Sequence, residues 1–98
     1  MRALTWDDFA DAAGTVYEVT ADEARLELKL DQAADIPVSD RAGSAFRLEF
    51  LGPVDPVLPQ AIYPFRNGED AFEMFIVPIA RDGQGTRYEA VFTTVQPA

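Results

Sequence analysis

The sequence predicts a mainly β fold: a small antiparallel β-barrel or sandwich of about six or seven strands, with one short N-terminal α-helix. From residue 15 onward, apolar and polar residues alternate with a period of two, which is typical of strands with one buried face. Short turns that contain Gly, Asn and Asp separate these stretches and favour hairpins between antiparallel neighbours. All 98 residues are expected to form one domain. A barrel and a sandwich produce the same alternation, so both remain open.

The first residues predict a helix over about residues 5–13, which would plug one end of the sheet. Thr5 is a suitable N-cap, and Gly14 is a suitable residue just beyond the last turn. Trp6 and Phe9 lie three residues apart, so they would share the apolar face that packs on the strands.

Six segments have the composition and alternation of strands. In residues 25–31, leucines alternate with charged and polar residues without interruption. The predicted strands are 15–20, 25–31, 46–50, 62–65, 72–80 and 86–95, within a β region that spans about residues 15–95. Turns are predicted at 21–23, 66–70 and 81–85. Residues 32–44 are predicted to form a long loop, in which Ile36 and Val38 touch the core or form a brief edge strand.

The strand predicted over residues 72–80 departs from simple alternation. Its residues 72, 74 and 76 are apolar and form one face, but Phe75 and Val77 fall on the opposite face beside Glu73. Apolar residues on both faces indicate that both are covered. The cover would be the helix, the proline-containing segment or a partner. Pro78 has no backbone N–H, so it indicates a bulge or an edge.

Residues 52–60 contain three prolines spaced three residues apart, which would line one edge of a polyproline II helix. Two interpretations remain open. The segment is a rigid strap across the barrel mouth that buries Val57 and Leu58, or it is a preorganised ledge that docks on a partner at low entropic cost.

Composition excludes several chemistries. The chain has no Cys and no His, which removes thiolate catalysis, Cys-based zinc sites and the usual general base. Its acidic clusters lack the spacing of a calcium-binding loop, and it has no glycine-rich phosphate loop. We therefore predict no catalytic residues, no cofactor and no metal site, in a protein that is not an enzyme.

Charge and the N-terminal residues bear on partners and location. The net charge of −9 disfavours nucleic acids and anionic membranes as partners. The first residues do not have the pattern of a secretory signal, so the expected location is the cytoplasm, with export as part of an assembly left open.

The segments Phe46–Gln60 and Phe75–Ile79 resemble those of a bacterial family of short domains of unknown function. The resemblance extends over nearly the whole chain and includes the Gly52-Pro53 corner and the closing Tyr88–Phe92. Such domains tend to be encoded near phage-tail-like and tail-collar-like proteins. The resemblance therefore implies an accessory role in a virion or injection machine, and it implies no catalytic residues.

The preferred hypothesis is a non-enzymatic structural or protein-interaction module, which binds a protein partner or a second copy of itself. Its candidate contact residues are Pro53, Val54, Pro56, Leu58, Pro59, Phe75 and Val77. The alternative is a small-molecule-binding β-barrel, with Tyr63, Phe65 and Tyr88 around the pocket mouth.

Overall fold

Six antiparallel strands form one sheet that closes on itself as a barrel. The computed structural model describes residues 4, 6–36 and 43–95. The strands are β1 (Val16–Ala21), β2 (Ala24–Ile36), β3 (Gly43–Gly52), β4 (Ala61–Asn67), β5 (Asp70–Asp82) and β6 (Gly85–Val95). Their order around the ring is β1-β2-β3-β6-β5-β4. The ring is closed by the pairing of β1 with β4, through Glu18↔Arg66 and Val19↔Phe65. The mainly β prediction is confirmed, and the closure selects the barrel.

Three two-residue turns join neighbouring strands, as the turn signals predict. Between β1 and β2, Asp22 adopts a positive φ of 54°. Between β4 and β5, Gly68 has a φ of 60°, in the region that hairpin turns require. In the β5–β6 turn, the Gln84 N–H donates to Asp82 Oδ1 at 2.8 Å. These turns fix the register of the three hairpins.

The predicted loop over residues 32–44 is wrong at both ends, because β2 extends to Ile36 and β3 begins at Gly43. The β2–β3 register shifts between Leu30 and Gln32, so Asp31 is the extra residue of a bulge. Beyond the bulge, backbone pairing with β3 keeps a polar, alanine-rich segment extended, since tertiary context overrides weak strand propensity. Residues 37–42 lie outside the described residues.

The predicted α-helix over residues 5–13 is also wrong. Only a 3₁₀ turn at Trp6–Asp8 is present, and it is followed by isolated turns. A segment this short does not hold a helix by propensity alone. The Gly14 N–H instead donates to the Leu30 carbonyl at 2.7 Å and leads the chain into β1. Thr5, the predicted N-cap, lies outside the described residues. In the part of the chain that is described, no helix is long and apolar enough to cross a membrane.

The N-terminal segment still plugs one end of the barrel, through a single ring. Phe9 is 1% exposed and lies against Phe46, Phe72 and Phe92, with ring centroids 5.8–6.5 Å apart. The barrel interior is filled by side chains from all six strands. The buried hydrophobic residues are Phe9, Tyr17, Val19, Leu26, Leu28, Leu30, Ala45, Phe46, Leu48, Phe50, Leu58, Tyr63, Phe65, Phe72, Met74, Ile76, Tyr88 and Ala90.

Candidate functional site

The segment over residues 53–60, which we call the strap, crosses one end of the barrel. It joins β3 to β4, and these strands lie on opposite sides of the six-stranded ring. The chain bends at residues 54–56, so the strap is not one continuous polyproline II helix. The Asp55–Pro56 peptide bond is cis.

Three hydrogen bonds attach the strap to the barrel. The Leu58 N–H donates to Tyr88 Oη at 2.9 Å. The hydroxyl of Tyr63 donates to the Pro59 carbonyl at 2.6 Å, and that of Thr86 donates to the Val54 carbonyl at 3.3 Å. An exposed ion pair, Arg81 Nη2 to Asp55 Oδ1 at 2.9 Å, adds a fourth contact. The strap is therefore held in one conformation by contacts within the chain.

The strap residues divide into a buried anchor and an exposed surface. Leu58 is 4% exposed and belongs to the core, so we remove it from the candidate contact residues. Val57 is 38% exposed, so it is not buried with Leu58. Pro53, Pro56 and Pro59 are exposed. The interpretation as a strap is confirmed for Leu58 and wrong for Val57, and the prolines are presented to solvent.

An apolar ridge, made of Ile62, Phe75 and Val77, lies on the outer face of β4 and β5. Ile62 and Phe75 are directly opposite each other in the β4–β5 ladder and are 63% and 51% exposed. Val77 is half-buried two residues further along β5. The expectation that the helix or the strap covers this face is wrong for Phe75. Pro78 does lie at a bulge, since the β5–β6 register shifts between Pro78 and Ala80.

A groove of about 670 Å³ connects the strap to the ridge. It lies between the strap and the β1–β2 turn, and its apolar walls include Pro56, Val57, Pro59, Ile62 and Pro64. Since Ile62 borders both features, Pro56 and Pro59 share one continuous surface with the predicted residues Phe75 and Val77. Pro53 instead lines a separate groove with Arg25 and Glu27.

The aromatic residues proposed for a small-molecule pocket are core residues. Phe65 is 1% exposed and Tyr88 is 0% exposed. Tyr63 is 8% exposed, and its hydroxyl is used to hold the strap. Burial raises the pKa of Tyr63, with smaller contributions from Tyr88 and the negative charge of Asp22. These rings therefore support the strap and fill the interior.

Residues 4–92 match the family model described as Domain of unknown function (DUF6916). The chain belongs to this family. The match confirms the predicted family resemblance, and it includes the strap and the apolar ridge. Neither the curated proteins nor the solved structures give a significant match to the chain.

Sequence analysis missed a network of five charged residues on the outer face of β2, β3 and β6. Its members, in order of contact, are Glu89, Arg47, Glu49, Arg87 and Asp31. Arg47 contacts both Glu89 and Glu49, while Arg87 lies 2.8 Å from Asp31 and 3.1 Å from Glu49. Part of the signal was present, because residues 47, 49, 87 and 89 alternate outward along the strands predicted over 46–50 and 86–95. The pairing of these two strands, which brings the charges together, was not predicted.

The electrostatics of this network indicate mutual stabilisation. The hydrogen bond to Glu89 is the main reason that the pKa of Arg47 is raised, and the bond to Asp31 raises that of Arg87. Each guanidinium is therefore paired with the carboxylates it contacts. Across the described ranges, no group of three or more Asp, Glu, His or Cys side chains is placed to hold a metal ion.

Ile62 was also missed as a contact residue. Its position follows from the turn at Asn67–Asp70, because a two-residue loop places residue 62 opposite residue 75. The turn was predicted from Asn67-Gly68, but its length was not, so the register remained open.

Proposed function

We propose that this domain is a non-enzymatic protein-binding module, and that its contact surface is the apolar ridge together with the exposed prolines of the strap. The observation that carries the proposal is the Ile62–Phe75 pair, which exposes two large apolar side chains directly opposite each other. Contiguous exposed apolar surface bordered by polar residues is typical of protein interaction sites.

The attachment of the strap supports the same function. A partner that docks on Pro56 and Pro59 meets a backbone already fixed by hydrogen bonds from Tyr63 and to Tyr88. Less conformational entropy is then lost on binding, so more of the contact energy appears as affinity.

Charge and chemistry favour a protein over other partners. With a net charge of −9, the chain repels nucleic acid and anionic lipid. In the charged network, Arg47 and Arg87 are each engaged by carboxylates, so they offer little positive charge to a phosphate. We infer, from the gene neighbourhood that the family resemblance implies, that the partner belongs to a phage-tail-like assembly.

The test separates contact residues from core residues. We expect Phe75→Ala and Ile62→Ala to lower the free energy of unfolding by about 1 kcal/mol or less, because half or more of each side chain is already in water. The matched control is Met74→Ala, a buried neighbour on the same strand, which should cost about 2–5 kcal/mol. The measurement is denaturant unfolding of the purified chain. A loss at Phe75 as large as that at Met74 would make the ridge part of the core and remove the basis of the proposal.

Small-molecule binding keeps one specific observation in its favour. A groove of about 490 Å³ crosses the β1–β4 junction, with Arg25, Arg66 and Glu73 on its walls and Phe65 at its base. Native mass spectrometry of the purified chain tests this alternative. A retained small-molecule mass would move this groove ahead of the ridge, whereas a bare chain or a protein complex would leave the ridge as the site.

A further inference from the structure

The groove of about 670 Å³ between the strap and the β1–β2 turn, which we call the strap groove, is fixed on three sides. On one side, a two-residue turn joins the paired residues Ala21 and Ala24. On the second, the strap is attached through the Leu58 N–H and the Pro59 carbonyl. The third side is residues 61–64 of β4. The strap groove is therefore preformed, and its volume lies in the range of roughly 300–1,000 Å³ that is typical of binding sites.

The backbone around the strap groove offers few hydrogen-bond donors. Pro56, Pro59 and Pro64 line the groove and have no backbone N–H. The N–H of Leu58, which also lines it, already donates to Tyr88 Oη. Binding of an added strand needs a row of free main-chain groups. The strap groove is therefore suited to a side chain of a partner rather than to a paired strand.

Asp22 gives the strap groove its charge. Among the described residues that line the groove, Asp22 is the only one with an Asp, Glu, Lys or Arg side chain. Glu23 follows it in the turn, and both are exposed. Neither carboxylate forms an ion pair within the described part of the chain, whereas other carboxylates are paired with arginine. The negative charge of Asp22 also contributes to the raised pKa of Tyr63 on the groove wall. The groove thus combines apolar walls with an uncompensated negative charge.

Arg25 is the basic residue nearest to Asp22 in the sequence, and it does not line the strap groove. It lines the two neighbouring grooves instead, with Glu27 in one and with Glu18 and Glu73 in the other. Each of those grooves already contains carboxylates that face the charge of Arg25. Asp22 is therefore available to a cation from another molecule. The net charge of −9 also favours the approach of a positively charged partner.

We propose that the strap groove receives a basic side chain of the partner protein, arginine in preference to lysine, which packs its stem on Val57 and the prolines and pairs its cationic head with Asp22. The inference rests on the proposed protein-binding function and deepens it by stating the chemistry of the partner. Basic side chains cover apolar surface with their stems while the charged head stays at a polar edge. A guanidinium is less strongly hydrated than an ammonium group and can pair with a carboxylate through two hydrogen bonds, which favours arginine. Because Ile62 belongs to both the groove and the ridge, apolar residues beside the arginine would meet the ridge.

The test selects short random peptides, displayed on phage, for binding to the immobilised full chain. We expect the bound peptides to be enriched in arginine beside apolar residues, relative to the unselected library. The same library selected on the Asp22→Asn variant should keep the apolar residues and lose the enrichment in arginine. Asparagine tolerates the left-handed backbone conformation that Asp22 adopts, with a φ of 54°, so this variant removes the charge and keeps the turn.

A synthetic peptide with the selected sequence then tests each contact by calorimetric titration. Replacing its arginine with citrulline, which has nearly the same shape and no charge, should weaken binding about tenfold or more and leaves the domain unaltered. Asp22→Asn should have a similar effect, and Val57→Ser should weaken binding about threefold or more by removing apolar contact. The matched controls are Glu69→Gln, an exposed carboxylate in another turn, and Val16→Ser, an exposed valine at the other end of β1. Both should leave the affinity within about twofold.

Several results would overturn the inference. No bound peptide, bound peptides without basic residues, or an arginine enrichment that survives Asp22→Asn would remove the basic side chain as occupant. Binding that Phe75→Ala abolishes and Val57→Ser leaves unchanged would place the peptide on the ridge alone. Association of the free chain that Val57→Ser abolishes would assign the groove to a second copy. The ridge proposal is judged separately, by the stability of Phe75→Ala and Ile62→Ala, so it can stand when this inference fails.

Discussion

Gly85 shows how one residue fixes the end of the barrel where the strap begins. It has a φ of 147°, and a Cβ added there would collide with the carbonyl oxygen of Gly52 on the neighbouring strand. Gly52 is itself enclosed by Leu28 and Tyr88, so the backbone has little room to move away. Close backbone approach, rather than flexibility, is the reason for glycine at both positions.

We therefore expect Gly85→Ala to lower the free energy of unfolding by about 3 kcal/mol. Gly83→Ala, in the turn of the same hairpin, is the control: a Cβ there meets nothing within 4 Å, and the change should be within about 0.5 kcal/mol. Equilibrium unfolding in denaturant measures both variants. Equal stability of the two would contradict the packing described around Gly52.

Tyr63 predicts how stability changes at alkaline pH. Its pKa in the folded chain is raised, chiefly by burial. The Tyr63 hydroxyl therefore loses its proton at a lower pH in the unfolded chain than in the folded chain. Its contribution is fully present below the ordinary tyrosine pKa of about 10 and is lost as pH rises through the raised folded value. Tyr63→Phe should remove this part of the alkaline decline and cost about 1 kcal/mol at neutral pH, through the lost hydrogen bond to Pro59. Unfolding measured from pH 7 to above pH 10, on both proteins, tests the sign. An identical alkaline slope would contradict it.

Among the elements, the charged network links three strands at a point where like charges meet. Glu49 and Glu89 lie directly opposite each other on β3 and β6, an arrangement that is destabilising by itself. Arg47 contacts both and compensates for their repulsion.

A double-mutant cycle isolates this compensation. Arg47→Gln should cost about 1 kcal/mol, and Glu89→Gln in that background should restore part of the loss because it removes the repulsion. Arg81→Gln, which breaks only the exposed pair with Asp55, should change stability by much less. The single variant Glu89→Gln completes the cycle, and thermal or denaturant unfolding gives the free energies of unfolding of all four variants. A double variant whose loss equals the sum of the two single losses would contradict the assigned role of Arg47.

The elements also show where the sequence is informative. Residues 25–31 and 46–50 alternate strictly, and both are strands because one face of each meets a core that excludes water. The signals for the helix at 5–13 and for the loop at 32–44 were local, and non-local contacts decided both. Phe9 is buried by rings from three strands, and the end of β2 is kept extended by pairing with β3.

At the scale of the whole molecule, the alternation of apolar and polar residues predicts where the strands are, but not which strands pair to close the barrel. The barrel closes through the pairing of Val19 with Phe65, two residues far apart in the chain, and nothing in either segment specifies that contact. The candidate site was likewise predictable only where the evidence lay within a single strand, and not where it depended on contacts between distant segments. Phe75 stood out because it broke the pattern of its own strand. Leu58 is predicted as a contact residue, but the strap buries it in the core, where its backbone N–H donates to Tyr88 Oη.

The central claim is that the ridge and the strap bind a protein, and site-specific photocrosslinking tests it most directly. A photoreactive phenylalanine analogue placed at Phe75 should crosslink to one discrete partner in cells that make the protein. The same analogue at Ala34, exposed on β2 on the opposite side of the ring from β5, should not. Crosslinking at Phe75 should be lost when Ile62→Ser is introduced beside it. If position 75 gives no crosslink, or if it gives the same products as position 34, the ridge is not a protein-binding surface.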